Sequence, residues 1–334
     1  MRTPKTLATS LLSLSAAALL ALSAAGAASA APAPGNTPAE TSGVSSHTVV
    51  ETGGAEYWTA ERMRNATPGD VLADKAKQRS ANPTAALNRP AEAAAPSTIE
   101  ALAPSLQAKQ AQTKANASET PVKHIGKVFF TLGGTNYVCS GNSVSSTNKS
   151  TVSTAGHCVN EGPGAFATEF TFVPAYLNGS APYGMWTAKA LYAPTQWSSG
   201  GDMTYDTGFA VMNTLNGQKL ADVVGGSGVQ FNAARGLSYK SFGYPAAAPF
   251  NGESLKSCSG TATNDPSNPQ FNTQGIPCNM TGGSSGGPWF IGSSSTGYQN
   301  SINSYGYGSK STTMYGPYWG SVIQQAYTTA SAAA

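Results

Sequence analysis

The stretch "TGGSSGGPWF", Thr281 to Phe290, places Ser285 between two pairs of glycines. A serine hydroxyl is a weak nucleophile until a base takes its proton, a carboxylate orients that base, and backbone N–H groups hold the oxyanion that attack creates. The chain offers three His for the first role. His47 lies in a low-complexity leader and His124 near the start of the Cys-bearing region. His157 lies in "STAGHCVN", directly after a strand-like run and beside Cys158. A disulfide at Cys158 would pin the backbone that presents this imidazole, as a base held to fractions of an ångström requires. The carboxylates between His157 and Ser285 are Glu161, Glu169, Asp202, Asp206, Asp222, Glu253 and Asp265. Asp206 is preferred because it precedes the apolar run "DTGFAVM", where a strand can bury it beside a cleft; Asp202 is the fallback. An oxyanion hole from the N–H groups of Gly283 and Ser285 needs a sharply turned backbone, and glycine permits the positive φ that such a turn requires.

Three other readings of these residues are weaker. A flexible linker would not run at once into Pro288-Trp289-Phe290. "GSSGG" also fits the G-x-S-x-G elbow of α/β-hydrolases, but there the His follows the Ser, and every His here precedes it. A metal site would have to be built around His157 and Cys158 without any Cys-x-x-Cys pair, so no metal and no cofactor are expected.

The elements that would position these groups are confined to part of the chain. Residues 1–30 read as a secretory signal peptide: Arg2 and Lys5, an apolar run from Leu11 to Leu22, then Ala28-Ser29-Ala30. The apolar run is diluted with Ala and Ser and is shorter than the ~20 residues of a membrane span. Residues 31–120 are rich in Ala, Pro, Glu, Lys and Arg, contain no Cys, and carry one strong helical signal, "AEYWTAERMRNA". They read as a pro-segment, largely of low complexity, that buries little core. From Pro121 onward Gly, Ser, Tyr, Phe and Val dominate and all four Cys appear. In that region eight Lys and one Arg face three Glu and four Asp, a thin net charge of about +2 with no basic stripe for nucleic acid. Cys139, Cys158, Cys258 and Cys278 in an exported chain imply two disulfides, with three connectivities open. The sequential pairing would close two loops of about twenty residues.

The folded region reads as strands: "KVFFTLGG", "TNYVCSGNSVSS", "STVSTAGHC", "TEFTFVPAY", "TAKALYAP", "DTGFAVM", "GLSYKSFGYP" and "QNSINSYGYG". Turn signals every eight to twelve residues argue an all-β barrel or sandwich. The exception is the C-terminus. There Trp319, Val322, Ile323, Ala326 and Tyr327 follow the spacing of one amphipathic helix over about 317–330.

The order His157, Asp206, Ser285 within "TAGHC", "DTGFAV" and "GSSGGP" resembles the trypsin/chymotrypsin-like serine peptidases, and is most similar to their bacterial, glutamyl-endopeptidase-like branch. The resemblance covers about Val122 to Tyr327. It implies two packed six-stranded antiparallel β-barrels, about 121–215 and 222–315, with the triad between them. His157 would serve as general base and then acid, Asp206 as its orienter and Ser285 as the acyl-forming nucleophile. Where trypsin-like members carry an Asp that pairs with a newly cut N-terminus, this sequence has Ser284, so activation through that ion pair is not expected. The resemblance also implies a pocket base at Asn279, flanked by Met280, and a substrate strand with Ser304, Tyr305 and Gly306 on its pocket side. Asn303 stands where the glutamate-cleaving branch has a His that binds acidic side chains. Small polar or apolar side chains are therefore expected as the preferred substrates. The implied function is a secreted, monomeric serine endopeptidase acting on proteins or peptides and held by its own pro-segment. A catalytically silent module on the same fold and an esterase are the competing functions.

Overall fold

The strand Ile125–Leu132 shows how the pattern builds the molecule, because both of its faces are buried. Side chains alternate across a strand, so Val128 and Phe130 enter one core while Ile125 and Phe129 enter another with Phe242, Tyr244 and Phe290. The computed structural model describes residues 39–41, 43–49, 53–80, 94–105, 119–308 and 310–334. The signal-peptide expectation falls on residues outside that set. Among the described residues no helix is long and apolar enough to cross a membrane.

Six antiparallel strands close a barrel: Ile125–Leu132, Thr135–Val144, Thr151–Thr154, Gly208–Met212, Trp186–Pro194 and Thr168–Pro174, the last pairing back to the first. Its interior is filled by Val128, Phe130, Val152, Phe170, Phe172, Ala188 and Leu191, all essentially inaccessible to solvent. The strands after residue 222 do not close in the same way. Lys256–Thr261, Ser238–Gly243, Pro288–Ile291, Gln299–Ile302 and Val229–Phe231 lie in one sheet, and Thr263–Asn264, Thr273–Pro277 and Thr313–Pro317 form a second. Tyr239, Ile276, Cys278, Met280, Trp289 and Met314 pack between these elements. Of the open connectivities the chain uses the sequential one, Cys139–Cys158 and Cys258–Cys278, with Cα separations of 6.5 and 5.3 Å.

The C-terminal helix runs Ser321–Ala332, a few residues later than its sequence pattern suggests, because Pro317 is the last residue of a strand. Val322, Ile323, Ala326, Tyr327 and Ala330 form its buried face. Tyr327 packs its ring 5.8 Å from that of Phe209 and 5.2 Å from that of Phe231, so the helix touches strands of both halves.

Residues 39–105 pack more closely than their composition suggests. Val44–Thr48 adds to the barrel strand Trp186–Pro194 in a five-residue antiparallel register, and Ser97–Ile99 adds to Val229–Phe231. Val44, Trp58, Ala73 and Ala76 are buried, and the Trp58 indole donates to the Glu169 carbonyl at 2.6 Å. The expected helix over "AEYWTAERMRNA" is broken at Trp58 and Thr59 into two single turns. The long helix of this segment is instead Asp70–Ser80.

Candidate active site

His157 sits in a single 3-10 turn, Gly156–Cys158, that ends the run from strand Thr151–Thr154. The Cys139–Cys158 disulfide ties this turn to the neighbouring strand. Asp206 follows another such turn, Met203–Tyr205, and immediately precedes strand Gly208–Met212. Both side chains are fully buried. The His157 main-chain N–H donates to Asp206 Oδ1 at 2.8 Å, and His157 Nδ1 lies 2.8 Å from Asp206 Oδ2. An ionised carboxylate only accepts hydrogen bonds, so Nδ1 carries the proton and Nε2 is left with its lone pair. That Nε2 is buried and has no hydrogen-bond partner among the described residues. Gly156 allows the close approach: a Cβ there would lie 2.9 Å from both Asp206 Oδ1 and the Trp197 ring. Asp202, the fallback acid, caps its own turn by accepting from the Thr204 N–H at 3.0 Å.

Ser304 does more than border the pocket. Its hydroxyl donates to Asp206 Oδ2 at 2.5 Å, so the carboxylate holds three donors, although Ser304 also borders the adjoining cavity.

Ser285 lies in the tight loop between Met280 and Pro288 and is almost fully buried. Gly283 and Gly286 have φ of +93° and +80°, the left-handed region that the glycine run makes available without strain. Gly286 also packs closely against the barrel. A Cβ on it would lie 2.2 Å from Thr154 Oγ1 and 2.3 Å from the Ser140 carbonyl. The loop is bonded on each side. Ser140 N–H donates to the Ser285 carbonyl at 2.7 Å, the Ser140 hydroxyl to the Gly283 carbonyl at 2.9 Å, and Gly286 N–H to the Asn303 carbonyl at 2.8 Å.

Asn303 serves this loop and not the pocket. Its Nδ2 donates to the Ser284 and Phe242 carbonyls, and its Oδ1 accepts from Ser241 Oγ and Trp289 Nε1. With both ends of the amide committed in a fully buried position, it does not line the cavity. The cavity beside Ser285 is bordered by Asn279, Met280, Ser304, Tyr305, Gly306 and Met314, so the other expected pocket residues do face it.

No protein-family model matches the chain. Among solved structures it is similar to protease Anisep from Arthrobacter nicotinovorans, with 85% identity and a TM-score of 0.65, over 66% of this chain and 100% of that one. It is also similar to the thermostable serine protease AL20 from an extremophilic microorganism: 52% identity, TM-score 0.62, 64% of this chain and 98% of the other. The chain belongs to the trypsin/chymotrypsin-like serine proteases. A Glu endopeptidase structure, 19% identical with a TM-score of 0.51 over 66% of this chain and 96% of its own, shares the fold. A curated relative, an extracellular metalloprotease of Bacillus subtilis, is 31% identical over 114 residues, and the match spans about a third of that relative's length, 35%.

Among the described residues of this serine protease one group has metal-ligand spacing: Cys139, His157 and Cys158 hold their donor atoms within 4.8 Å of one another. The two sulfurs are bonded to each other as a disulfide, and a metal-binding Cys is a thiolate, so these residues do not fit a metal.

Sequence reasoning missed the helix Asp70–Ser80, which lies at the mouth of the serine protease cavity with Asp70, Ala73 and Asp74 in its lining. It is led in by Thr67–Pro68, which pairs in parallel with Tyr137–Val138, and by the Gly69 N–H, which donates to the Val138 carbonyl at 3.0 Å. The Asp70 carboxylate rests on the Ser285 loop: a Cβ on Gly282 would lie 2.1 Å from its Oδ1. Burial, with Asp74 adding to it and His157 opposing, raises the Asp70 carboxyl above its ordinary range. At the far end, Lys77 donates to the Gly306 carbonyl at 2.7 Å and Arg79 donates to the Glu161 and Gly162 carbonyls. The signal for this helix was present in "DVLADKAKQRS", strong helix formers with an acid in the first turn and bases in the last.

Proposed function

We propose that this chain is a secreted serine endopeptidase, made as a pro-enzyme, that cleaves peptide bonds through an acyl-enzyme on Ser285. The observation that carries the reading is the buried His157–Asp206 pair, joined by two hydrogen bonds with the imidazole Nε2 left without a hydrogen-bond partner among the described residues. In this mechanism Nε2 takes the Ser285 proton as Oγ attacks the scissile carbonyl. The N–H groups of Gly283 and Ser285 hold the resulting oxyanion, and the imidazolium then protonates the departing amine. Water repeats the sequence on the ester and frees the enzyme. Asp206 keeps the proton on Nδ1 and balances the imidazolium charge. Two donors fixed by the backbone and by Ser304 hold that carboxylate in place.

A pocket bordered by Asn279, Met280, Ser311, Thr313 and Met314 offers hydrogen bonds and thioethers and no charge from the protease region, which supports neutral side chains at the cleavage site. The pro-enzyme reading is supported by the Asp70–Ser80 helix at the cavity mouth. A helix presents no extended strand for the attacking serine. The protease structure at 85% identity is matched over its whole length by 66% of this chain, which supports a protease unit smaller than the full chain. Export is supported by the composition of residues 1–30. The mechanism is tested by pre-steady-state hydrolysis of a p-nitrophenyl ester. A burst of one equivalent per Ser285, absent from Ser285→Ala, is the expected result; linear release with no burst would count against an accumulating acyl-enzyme.

A further inference from the structure

Lys77 does more than bond a neighbouring acid. Besides its 2.9 Å pair with Asp74, its ammonium donates to the Gly306 carbonyl and stands 4.9 Å from the Tyr307 ring centre and 5.6 Å from that of Tyr305. Those rings are unusual in what lies behind them. The hydroxyls of Tyr305 and Tyr307 both donate to Asp265 Oδ2, at 2.7 and 2.5 Å. Asp265 is only 2% exposed, and its Oδ1 accepts from the Ser267 and Asn268 N–H groups. Among the described residues no Lys or Arg pairs with this carboxylate. Burial first, with the Asp265 charge adding to it, keeps both phenols protonated well above their ordinary range. A phenol that donates to a carboxylate enriches its ring in electron density, and an electron-rich face attracts a cation. A buried negative charge is thus relayed to two aromatic faces that flank the Gly306 carbonyl, which Lys77 now occupies, on the strand expected to hold the substrate.

We propose that Tyr305, the Gly306 carbonyl and Tyr307, backed by Asp265, form a cation-accepting subsite. It takes a Lys or Arg side chain of the bound substrate, upstream of the scissile bond, and Lys77 fills it in the intact chain. The proposal rests on the peptidase reading above and adds a second selectivity to it: a neutral side chain at the cleavage point and a basic one nearby. The Asp74–Lys77 pair lies on one helix, so both leave together when the helix is displaced, exposing the rings.

The test uses enzyme whose active sites have been titrated by ester burst. Peptide mixtures are compared in which a single Lys or norleucine is walked through the four positions before the scissile bond, the residue at the bond being randomised. One position is expected to favour Lys over its uncharged isostere by about three- to thirtyfold in kcat/KM. Tyr307→Leu should reduce that ratio to about one, while Tyr307→Phe, which keeps the ring and loses the bond to Asp265, should keep a reduced preference. Tyr307 is partly exposed, so both variants leave the core intact. Titratable serine with equal rates for Lys and norleucine at every position overturns the subsite alone. A preference that survives unchanged in Tyr307→Leu also overturns it. Absence of any titratable serine overturns the peptidase reading and the subsite with it.

Discussion

Replacing Asp206 with Asn separates orientation from charge at the proposed base, His157. In the native site Oδ1 accepts the His157 main-chain N–H, and Oδ2 accepts both Nδ1–H and the Ser304 hydroxyl. An asparagine has one acceptor oxygen and one NH2. The main-chain N–H cannot turn over, so the oxygen must face it and the NH2 must face Nδ1. The amide then donates to Nδ1, the imidazole proton moves to Nε2, and the nitrogen that should take the Ser285 proton becomes a donor. A wrong tautomer of this kind costs about 10⁴-fold in kcat, or ~5 kcal/mol of barrier, with the fold preserved. Ser304→Ala is the calibrating variant. It removes one of the two donors on Oδ2 and leaves the tautomer alone, so a loss of about tenfold is expected. The assay is kcat on a peptide substrate at saturation, with thermal unfolding as the check on structure. Asp206→Asn retaining activity within tenfold of wild type, or losing no more than Ser304→Ala, would refute the orienting role.

Three further outcomes follow from the geometry. Lys127 is buried against Tyr176 and Phe129, and desolvation, partly offset by Glu253, lowers its amine from 10.5 to about 8. The unfolded chain therefore binds the extra proton between these values and stability falls by ~3 kcal/mol as pH drops from 10.5 to 8. Lys127→Met should be more stable than wild type by about 1–3 kcal/mol at pH 7, with the gap closing towards pH 10.5; denaturant midpoints at several pH values check this. The raised carboxyl of Asp70 gives the opposite slope. Its contribution to helix docking is complete below 3.8 and is lost as pH rises through the docked value, so Asp70→Asn should tighten docking at neutral pH. Hydrogen exchange of residues 70–80 should then slow in the variant at pH 7 and match wild type in acid. Gly286→Ala forces a Cβ into the Ser140 carbonyl at a positive φ, and should lower stability by about 3 kcal/mol or more and abolish cleavage; a folded, active variant would contradict the loop geometry.

The catalytic candidates could be read from sequence because each sits where the chain changes character: His157 where a strand ends at a half-cystine, Asp206 where an apolar strand begins, Ser285 inside a glycine turn. The β-rich region and the last helix were legible too, the first from strand-forming runs between regular turn signals and the second from its 3.6-residue spacing. Residues 39–105 were not. Leu72, Ala73 and Ala76 give helix Asp70–Ser80 a narrow buried stripe of mostly small side chains, and Val44–Thr48 gains its place from a partner strand more than a hundred residues away. The family resemblance sets Asn303 where the glutamate-cleaving branch has a His, and only its four hydrogen bonds show that the side chain turns towards the loop behind Ser285. Ser304 borders the cavity as the resemblance implies, and the bond of its hydroxyl to Asp206 is visible only in three dimensions.

The central claim is an activated Ser285, and the most direct measurement is covalent. Protein freed of its leader residues is treated with a fluorophosphonate probe and the adduct is located by mass spectrometry, with Ser285→Ala and His157→Ala in parallel. Labelling confined to the Ser285 peptide in wild type and absent from both variants is the predicted result. A folded, processed protein that takes no label, or takes it equally in the His157→Ala variant, would contradict the account.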